Sequence, residues 1–229
     1  MKYPKKKPGN AAKNDRSRAT KRKAGAARKA KADPPDLILA ELQTVEGFVS
    51  RVLIGEPSFD NTRDDWPEQR ACMTALAALL YNRIHQIPAR YRQQEIANVT
   101  TTDLREVLAA PGQFRNFGKD ASGRFTIAPA YRQMVDDRVI FANQPPRKEG
   151  YATVAHAIAL ARRLARGTFD PDLDPFRAVT TVGGIAATGR AYGMRTENSG
   201  SPGGDYLDVP VGQNGTLAGN SFFTLRVRR

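Results

Sequence analysis

Apolar side chains recur at helical spacing in the segment that follows residue 36. Steps of four, three, four and three residues separate Ile38, Leu42, Val45, Val49 and Val52. This spacing predicts an amphipathic helix that starts near Asp36 and has one face on a core. Glu56 follows four residues later, between a glycine and a proline that end the helix. The pattern therefore places a carboxylate on the apolar side of a helix end.

Four more segments have the length and pattern of helices, and the last part of the chain differs from them. The helices are predicted within residues 68–86, 100–114, 128–143 and 151–167. From about residue 170 the chain is rich in Gly, Pro, Asn and Thr, with β-like pieces at 205–211 and 216–227 around a turn. We therefore expect a mainly α protein of the α+β class, with a small irregular β segment near the C-terminus.

Charge divides the chain into two parts. The net charge is +13, and residues 1–32 hold 13 Lys or Arg and one acidic residue. A run of like charge with few aliphatic side chains cannot bury enough apolar surface to fold, so residues 1–33 are expected to be a disordered basic tail before a domain at 34–229. Such a tail attracts polyanions: nucleic acid, an anionic membrane face or an anionic cell-wall polymer. One hypothesis is therefore a nucleic-acid-binding or virion structural protein that acts through this tail.

The few cysteines and histidines restrict the possible chemistry. Cys72 is the single cysteine and is expected to be a packed thiol, while His85 and His156 are the two histidines. This set favours neither an internal disulfide nor a metal site, and no cofactor is expected. We also expect no transmembrane segment and no secretory signal, and hence synthesis in the cytoplasm.

Glu56 is the candidate for chemistry. Removal from water penalises a charged carboxylate, so a glutamate on the apolar side of a helix end should have a raised pKa. A glutamate that keeps its proton near neutrality can donate it to a leaving oxygen, as a general acid at a glycosidic bond must. The alternative is a solvated carboxylate at an exposed helix end.

Four short blocks occur in an order that resembles a known family. They are "VSRVLIGE" (49–56), "YNR" (81–83), "LREVLAAPGQF" (104–114) and "GTLAGNSFF" (215–223). Together they are similar to the catalytic domain of bacterial cell wall hydrolases of the spore-cortex-lytic type. The residues that match that pattern are Arg51, Gly55, Glu56, Asn82, Arg83, Pro111, Gly112, Gln113, Phe114, Gly219, Ser221 and Phe222. The chain departs from it after Glu56, where Pro57 begins a different sequence, and at Asn220, where the family has a histidine.

The resemblance implies a lysozyme-like fold and cleavage of the β-1,4 bond between N-acetylmuramic acid and N-acetylglucosamine. Glu56 would be the catalytic acid and base, as in a muramidase or a lytic transglycosylase. Gln113 would bind an N-acetyl group, Asn82 and Asn220 would also face the substrate, and four aromatic residues would stack on sugar rings: Tyr81, Phe114, Tyr206 and Phe222. A packing role is the alternative for each of these side chains.

A second carboxylate is needed if the enzyme forms a covalent intermediate or activates water in the inverting geometry. Asp60, Asp64 and Asp65 follow Glu56 in a polar link, where solvated acids are the usual case. A lytic transglycosylase needs a single acid, which suits this sequence. We expect a protein that acts in the periplasm or cell wall after delivery or lysis, as an antibacterial effector or a phage lysis enzyme, with an immunity protein as a possible partner.

Overall fold

The computed structural model describes residues 34–57, 66–146, 149–196, 202–212 and 214–229. Residues 35–229 form one compact unit. The expected disordered tail, residues 1–33, lies outside the described residues, and so do Asp60, Asp64 and Asp65. In the described part of the chain, no helix combines the length and the apolar character that crossing a bilayer would require.

The described residues form six α-helices and three small antiparallel sheets. The helices are α1 (Val45–Gly55), α2 (Trp66–His85), α3 (Gln93–Ala97), α4 (Leu104–Ala109), α5 (Pro129–Asn143) and α6 (Glu149–Ala165), with a 3-10 turn at Pro171–Leu173. The strands are β1 (Phe117–Lys119), β2 (Phe125–Ile127), β3 (Thr181–Val182), β4 (Ile185–Ala186), β5 (Gly193–Thr196), β6 (Tyr206–Val209) and β7 (Asn220–Leu225). The expected mixture of helix and sheet is confirmed.

The first helix begins later than its apolar spacing predicted. Thr44 is the N-cap of α1 and accepts a hydrogen bond from the backbone N–H of Gly47. Before it, the backbone of Leu37 exchanges two hydrogen bonds with the Asn143 side chain, at 2.8 and 3.0 Å, which hold this segment in a non-helical conformation. Ile38 is 80% exposed, so the prediction of a helix from residue 36 is wrong.

The helix α2 lies at the centre of the core. Twelve of its twenty residues are buried, so it has no wholly polar face. It packs against α6, which also packs against α1 and α5. Cys72 is fully buried within α2, as expected for a packed thiol. His156 of α6 pairs through Nε2 with the Thr74 hydroxyl at 3.0 Å, a structural role.

The C-terminal part of the chain forms the largest sheet. Strand β7 lies in the middle, antiparallel to both β5 and β6. The sequence indicated β6 and β7, whereas β1–β2, β3–β4 and β5 went unpredicted because strands of two to four residues show no clear alternation. The β1–β2 pair packs on α1 through a T-shaped contact between Phe48 and Phe117.

A buried carboxylate joins α2 to the start of the sheet. Asp174 is 1% exposed and accepts a hydrogen bond from Asn82 Nδ2 at 2.6 Å and others from the backbone N–H groups of Phe176 and Ala191. Asn82 also donates to the Ala191 carbonyl at 3.0 Å. Because every described partner is a donor, the hydrogen-bonding capacity of the buried carboxylate is used within the protein. These bonds fix the end of α2 to the segment that leads into β5.

Replacing Asp174 by alanine should strongly destabilise the fold. The Asp174→Ala change leaves three buried donors without their acceptor, and each such group costs about 1–3 kcal/mol. We expect the free energy of unfolding to fall by about 3 kcal/mol or more in urea denaturation. Asp172→Ala is the matched control, since Asp172 is 79% exposed and pairs with Arg177 at the surface; its expected effect is below about 1 kcal/mol. Equal effects of the two changes would contradict the structural role of Asp174.

Candidate functional site

Glu56 lies at the C-terminal end of α1. Its backbone is still helical, with φ −71° and ψ −39°, and its N–H donates to the carbonyl of Val52. All residues of α1 from Gly47 to Gly55 are buried, so the helix is not amphipathic as its spacing predicted, and the side chain of Glu56 that follows is half-buried. The predicted position of Glu56 at a helix end is confirmed.

The Glu56 carboxylate has one described hydrogen-bond donor, from α5. The Tyr131 hydroxyl donates to Oε1 at 2.9 Å. Burial raises the pKa of Glu56, and the Tyr131 hydrogen bond and the positive charge of Arg138 oppose this rise without cancelling it. Burial and the Glu56 carboxylate together raise the pKa of the Tyr131 hydroxyl well above its usual value, so the tyrosine stays a donor. Burial thus shifts the carboxyl group towards its protonated form, and the Tyr131 hydroxyl engages one of its oxygens.

Arg138, two helical turns beyond Tyr131, holds the end of α1. Its Nη1 donates to the carbonyls of Ile54, Gly55 and Pro57, the last two at 3.1 and 3.3 Å. The last carbonyls of a helix have no partner within the helix, so a cation at this position satisfies them and complements the helix dipole. Burial lowers the pKa of Arg138 to about 10, at which it remains charged near neutrality.

Asn220, the first residue of β7, bonds the backbone of Glu56. Its Nδ2 donates to the backbone carbonyl of Glu56 at 3.1 Å and to that of Ala218, and lies 3.7 Å from Cys72 Sγ. The side chain is 1% exposed, so the expectation that Asn220 contacts substrate is corrected. It is a structural link between β7 and the end of α1.

The sequence blocks 81–83 and 104–114 are in contact in the structure. Arg83, at the end of α2, donates through Nε to the Tyr192 carbonyl at 2.8 Å and through Nη1 to Gln113 Oε1. Gln113 is half-buried. Burial lowers the pKa of Arg83. The adjacent Asn82 is fully buried on Asp174, so its expected contact with substrate is also corrected.

The four aromatic candidates divide by exposure. Tyr81 is half-buried and its ring packs between His85 and Phe169, and Tyr206 is half-buried on β6. Phe222 is fully buried against Phe176, and Phe114 is 7% exposed. The burial of the two phenylalanines corrects their expected stacking on sugar rings to core packing. Sugar contact stays a prediction for Tyr81, Tyr206 and Gln113.

Sequence reasoning missed Tyr131 and Arg138. Their spacing of seven residues puts them on one face of α5, a signal that is visible in the sequence. What the spacing does not show is that this face lies against the end of α1, because that depends on packing between distant segments. Among the residues that the structure describes, no cluster of three or more His, Cys, Asp or Glu side chains could hold a metal ion.

Comparisons of the chain with protein-family models, with curated proteins and with solved structures find no match. The residues around Glu56 and their chemistry are therefore the basis for a functional proposal.

Gly55 is required by the contact between α1 and Tyr131. A Cβ atom at residue 55 would overlap the Tyr131 phenol ring. In an open helix, Gly→Ala stabilises by about 1 kcal/mol, but overpacking costs about 1–3 kcal/mol and should prevail here. We expect Gly55→Ala to lower the free energy of unfolding, measured by denaturant titration. Gly118→Ala, where nothing lies within 4 Å of the new Cβ, is the control and should change stability by less than about 0.5 kcal/mol. A stabilised Gly55→Ala variant would contradict the contact.

The raised pKa of Glu56 makes stability depend on pH in a defined direction. The folded state holds the proton more tightly than the unfolded chain, so it binds more protons between the ordinary pKa of 4.5 and the raised value. The stabilisation from this proton is therefore complete at low pH and is lost as the pH rises through the folded pKa. Compared with wild type, Glu56→Gln should gain in relative stability as the pH rises from about 4 to about 8.

Chemical denaturation at a series of pH values measures this difference. Glu41→Gln, which removes an exposed carboxyl group before α1, controls for the loss of one negative charge. A difference between wild type and Glu56→Gln that stays constant with pH would contradict a raised pKa at Glu56.

Proposed function

We propose that the protein is a peptidoglycan-cleaving glycosidase that cuts the β-1,4 bond between N-acetylmuramic acid and N-acetylglucosamine, with Glu56 as general acid and base. The observation that carries the proposal is the environment of Glu56, a half-buried carboxyl group with a raised pKa and a tyrosine donor on one oxygen. A general acid at a glycosidic bond must hold a proton near neutral pH, and burial favours this by raising the pKa of Glu56.

The two oxygens of the Glu56 carboxyl group have different roles in this proposal. Tyr131 donates to Oε1, which suits the carbonyl oxygen of the protonated acid, since a carbonyl accepts. The proton then resides on Oε2, from which it is donated to the glycosidic oxygen. Tyr131 is thus a positioning residue that fixes the orientation of the acid.

The reaction requires one proton to leave Glu56 and one to return. Oε2 donates its proton to the glycosidic oxygen as the bond from C1 of the muramic acid to that oxygen breaks. The carboxylate then accepts a proton from the 6-hydroxyl of the same sugar as its oxygen attacks C1, which closes a 1,6-anhydro ring. If water attacks in place of the 6-hydroxyl, the product has a reducing end.

The arrangement of the chain supports a lysozyme-like organisation, which is part of the proposal. The acid ends a helix of a mainly helical core, and Asn220 of the antiparallel sheet bonds its backbone. We place the enzyme in the periplasm or cell wall after delivery or lysis. A polyanion contact through residues 1–32, and with it the nucleic-acid-binding alternative, stays a prediction on residues outside those described.

Glu56→Gln should abolish cleavage while keeping the fold. General acid–base catalysis contributes about 100-fold or more, so the rate at which purified sacculi lose turbidity should fall by at least this factor. Glu41→Gln, the same change at an exposed glutamate, should clear sacculi at the wild-type rate. Clearing by Glu56→Gln at the wild-type rate, or no clearing by wild type, would refute the proposal. Mass spectrometry of the released fragments distinguishes anhydro products from reducing ends.

A further inference from the structure

A cavity of about 540 Å³ lies along α5. This volume is within the range of about 300–1,000 Å³ for sites that bind small molecules. Its lining comes from α5, α6 and the first residue of α2: Trp66, Ala130, Gln133, Met134, Asp137, Arg138, Phe141, Gly150 and Val154. Glu56 is not among these residues.

The face of α5 that lines the cavity is a regular helical stripe. Residues 130, 133, 134, 137, 138 and 141 recur at steps of three and one, the spacing of one face of a helix. Such a face normally packs on a core. Here it borders open space, and Phe141 is 52% exposed. The stripe combines three apolar side chains with three polar or charged ones.

Arg138 connects this cavity to the candidate acid. It lines the cavity and also donates to the carbonyls of Gly55 and Pro57, the two residues that flank Glu56. The cavity lining and the helix end that carries the acid therefore share one side chain, that of Arg138.

The lining matches the chemistry of a neutral sugar. Trp66 and Phe141 contribute aromatic rings to the lining, and the faces of such rings attract the C–H groups of a pyranose ring. Asp137 accepts a hydrogen bond from Gln133 Nε2 at 2.8 Å through Oδ1, which leaves Oδ2 and Gln133 Oε1 as acceptors for sugar hydroxyls. Asp137 and Arg138 carry opposite charges, so the wall as a whole favours neither an anion nor a cation.

We propose that the cavity lined by Trp66, Gln133, Asp137 and Phe141 is a saccharide subsite for an N-acetylhexosamine ring adjacent to the bond that Glu56 cleaves. The choice of ligand rests on the proposed function. The subsite fixes the register of the glycan chain relative to the acid, through stacking on the aromatic walls and hydrogen bonds to the Asp137–Gln133 pair.

The chain contains one tryptophan, Trp66, so its indole N–H gives a single resonance in a nitrogen–proton correlation spectrum. We would titrate the full chain with a soluble β-1,4-linked N-acetylglucosamine tetramer, in the Glu56→Gln background to prevent turnover. A saturable shift of the indole resonance is expected. No shift up to the solubility limit of the tetramer would overturn the subsite.

Substitutions on α5 test whether this wall binds the sugar. Asp137→Asn and Gln133→Ala each remove or weaken an acceptor and should raise the Kd for the tetramer about three- to tenfold. Asp136→Asn is the matched control, because Asp136 is the neighbouring acid on α5, forms an exposed ion pair with Arg132 and does not line the cavity; its Kd should equal that of the parent. Equal Kd values for all four proteins would overturn the proposal.

Failure of the subsite and failure of the proposed function are distinguishable. Suppose that wild type clears sacculi and Glu56→Gln does not, but the tetramer leaves the chemical shift of the indole resonance unchanged. The subsite is then wrong and the proposed function stands. The opposite outcome is also distinguishable. If the tetramer shifts the resonance and Asp137→Asn lowers the affinity for the tetramer, the cavity binds saccharide. If Glu56→Gln nevertheless clears sacculi at the wild-type rate, Glu56 is not the acid. Circular dichroism of each variant verifies its fold, and Gln133→Ala, at an exposed position, serves if Asp137→Asn does not fold.

Discussion

The carbonyl groups at the end of α1 are the constraint around which the site is built. A helix that ends inside a protein leaves its last carbonyls without partners, and burying them unpaired would cost several kcal/mol. Arg138 satisfies those of Ile54, Gly55 and Pro57, and Asn220 satisfies that of Glu56. The residues that complete the helix end also hold Glu56 in one place. Stability and site geometry therefore depend on the same four hydrogen bonds.

Three effects act on the charge state of Glu56. Burial, the largest, favours the protonated acid, whereas the Tyr131 hydrogen bond and, to a smaller extent, the positive charge of Arg138 favour the carboxylate. The guanidinium group of Arg138 is directed to the backbone of the helix end, where it bonds the carbonyl oxygens of Ile54, Gly55 and Pro57. Tyr131 donates to the carboxyl group as a neutral partner, which orients it without adding charge. Glu56 is therefore held in one orientation, and its pKa is raised.

The parts of the fold that could be predicted from the sequence are those that local chemistry determines. Helices α2, α4, α5 and α6 overlap the four predicted ranges, and local signals are present in Pro67 at the start of α2 and Asp103 at the cap of α4. The start of α1 was mispredicted because a tertiary contact, between Asn143 and Leu37, overrides the apolar pattern there.

The candidate site shows the same division between local and distant information. The position of Glu56 at a helix end followed from its neighbours in sequence. Tyr131 and Arg138 were not predicted, since nothing in α5 alone indicates that it packs on α1. The buried Asn82, Asn220 and Phe222 were assigned to the substrate because a motif gives residue types and order but not the direction in which a side chain points.

The bond between Asn220 and Glu56 has a consequence for the order of events during folding. It joins residues that are 164 positions apart, and closing so long a loop requires much of the intervening chain to be in place already. The helices α1 and α2 are close in sequence and can pack on each other early. The hydrogen bond from Asn220 to the Glu56 backbone forms only when the strand β7 is in place. We therefore expect Glu56 to reach its final position only once β7, which also contributes Phe222 to the core, has packed.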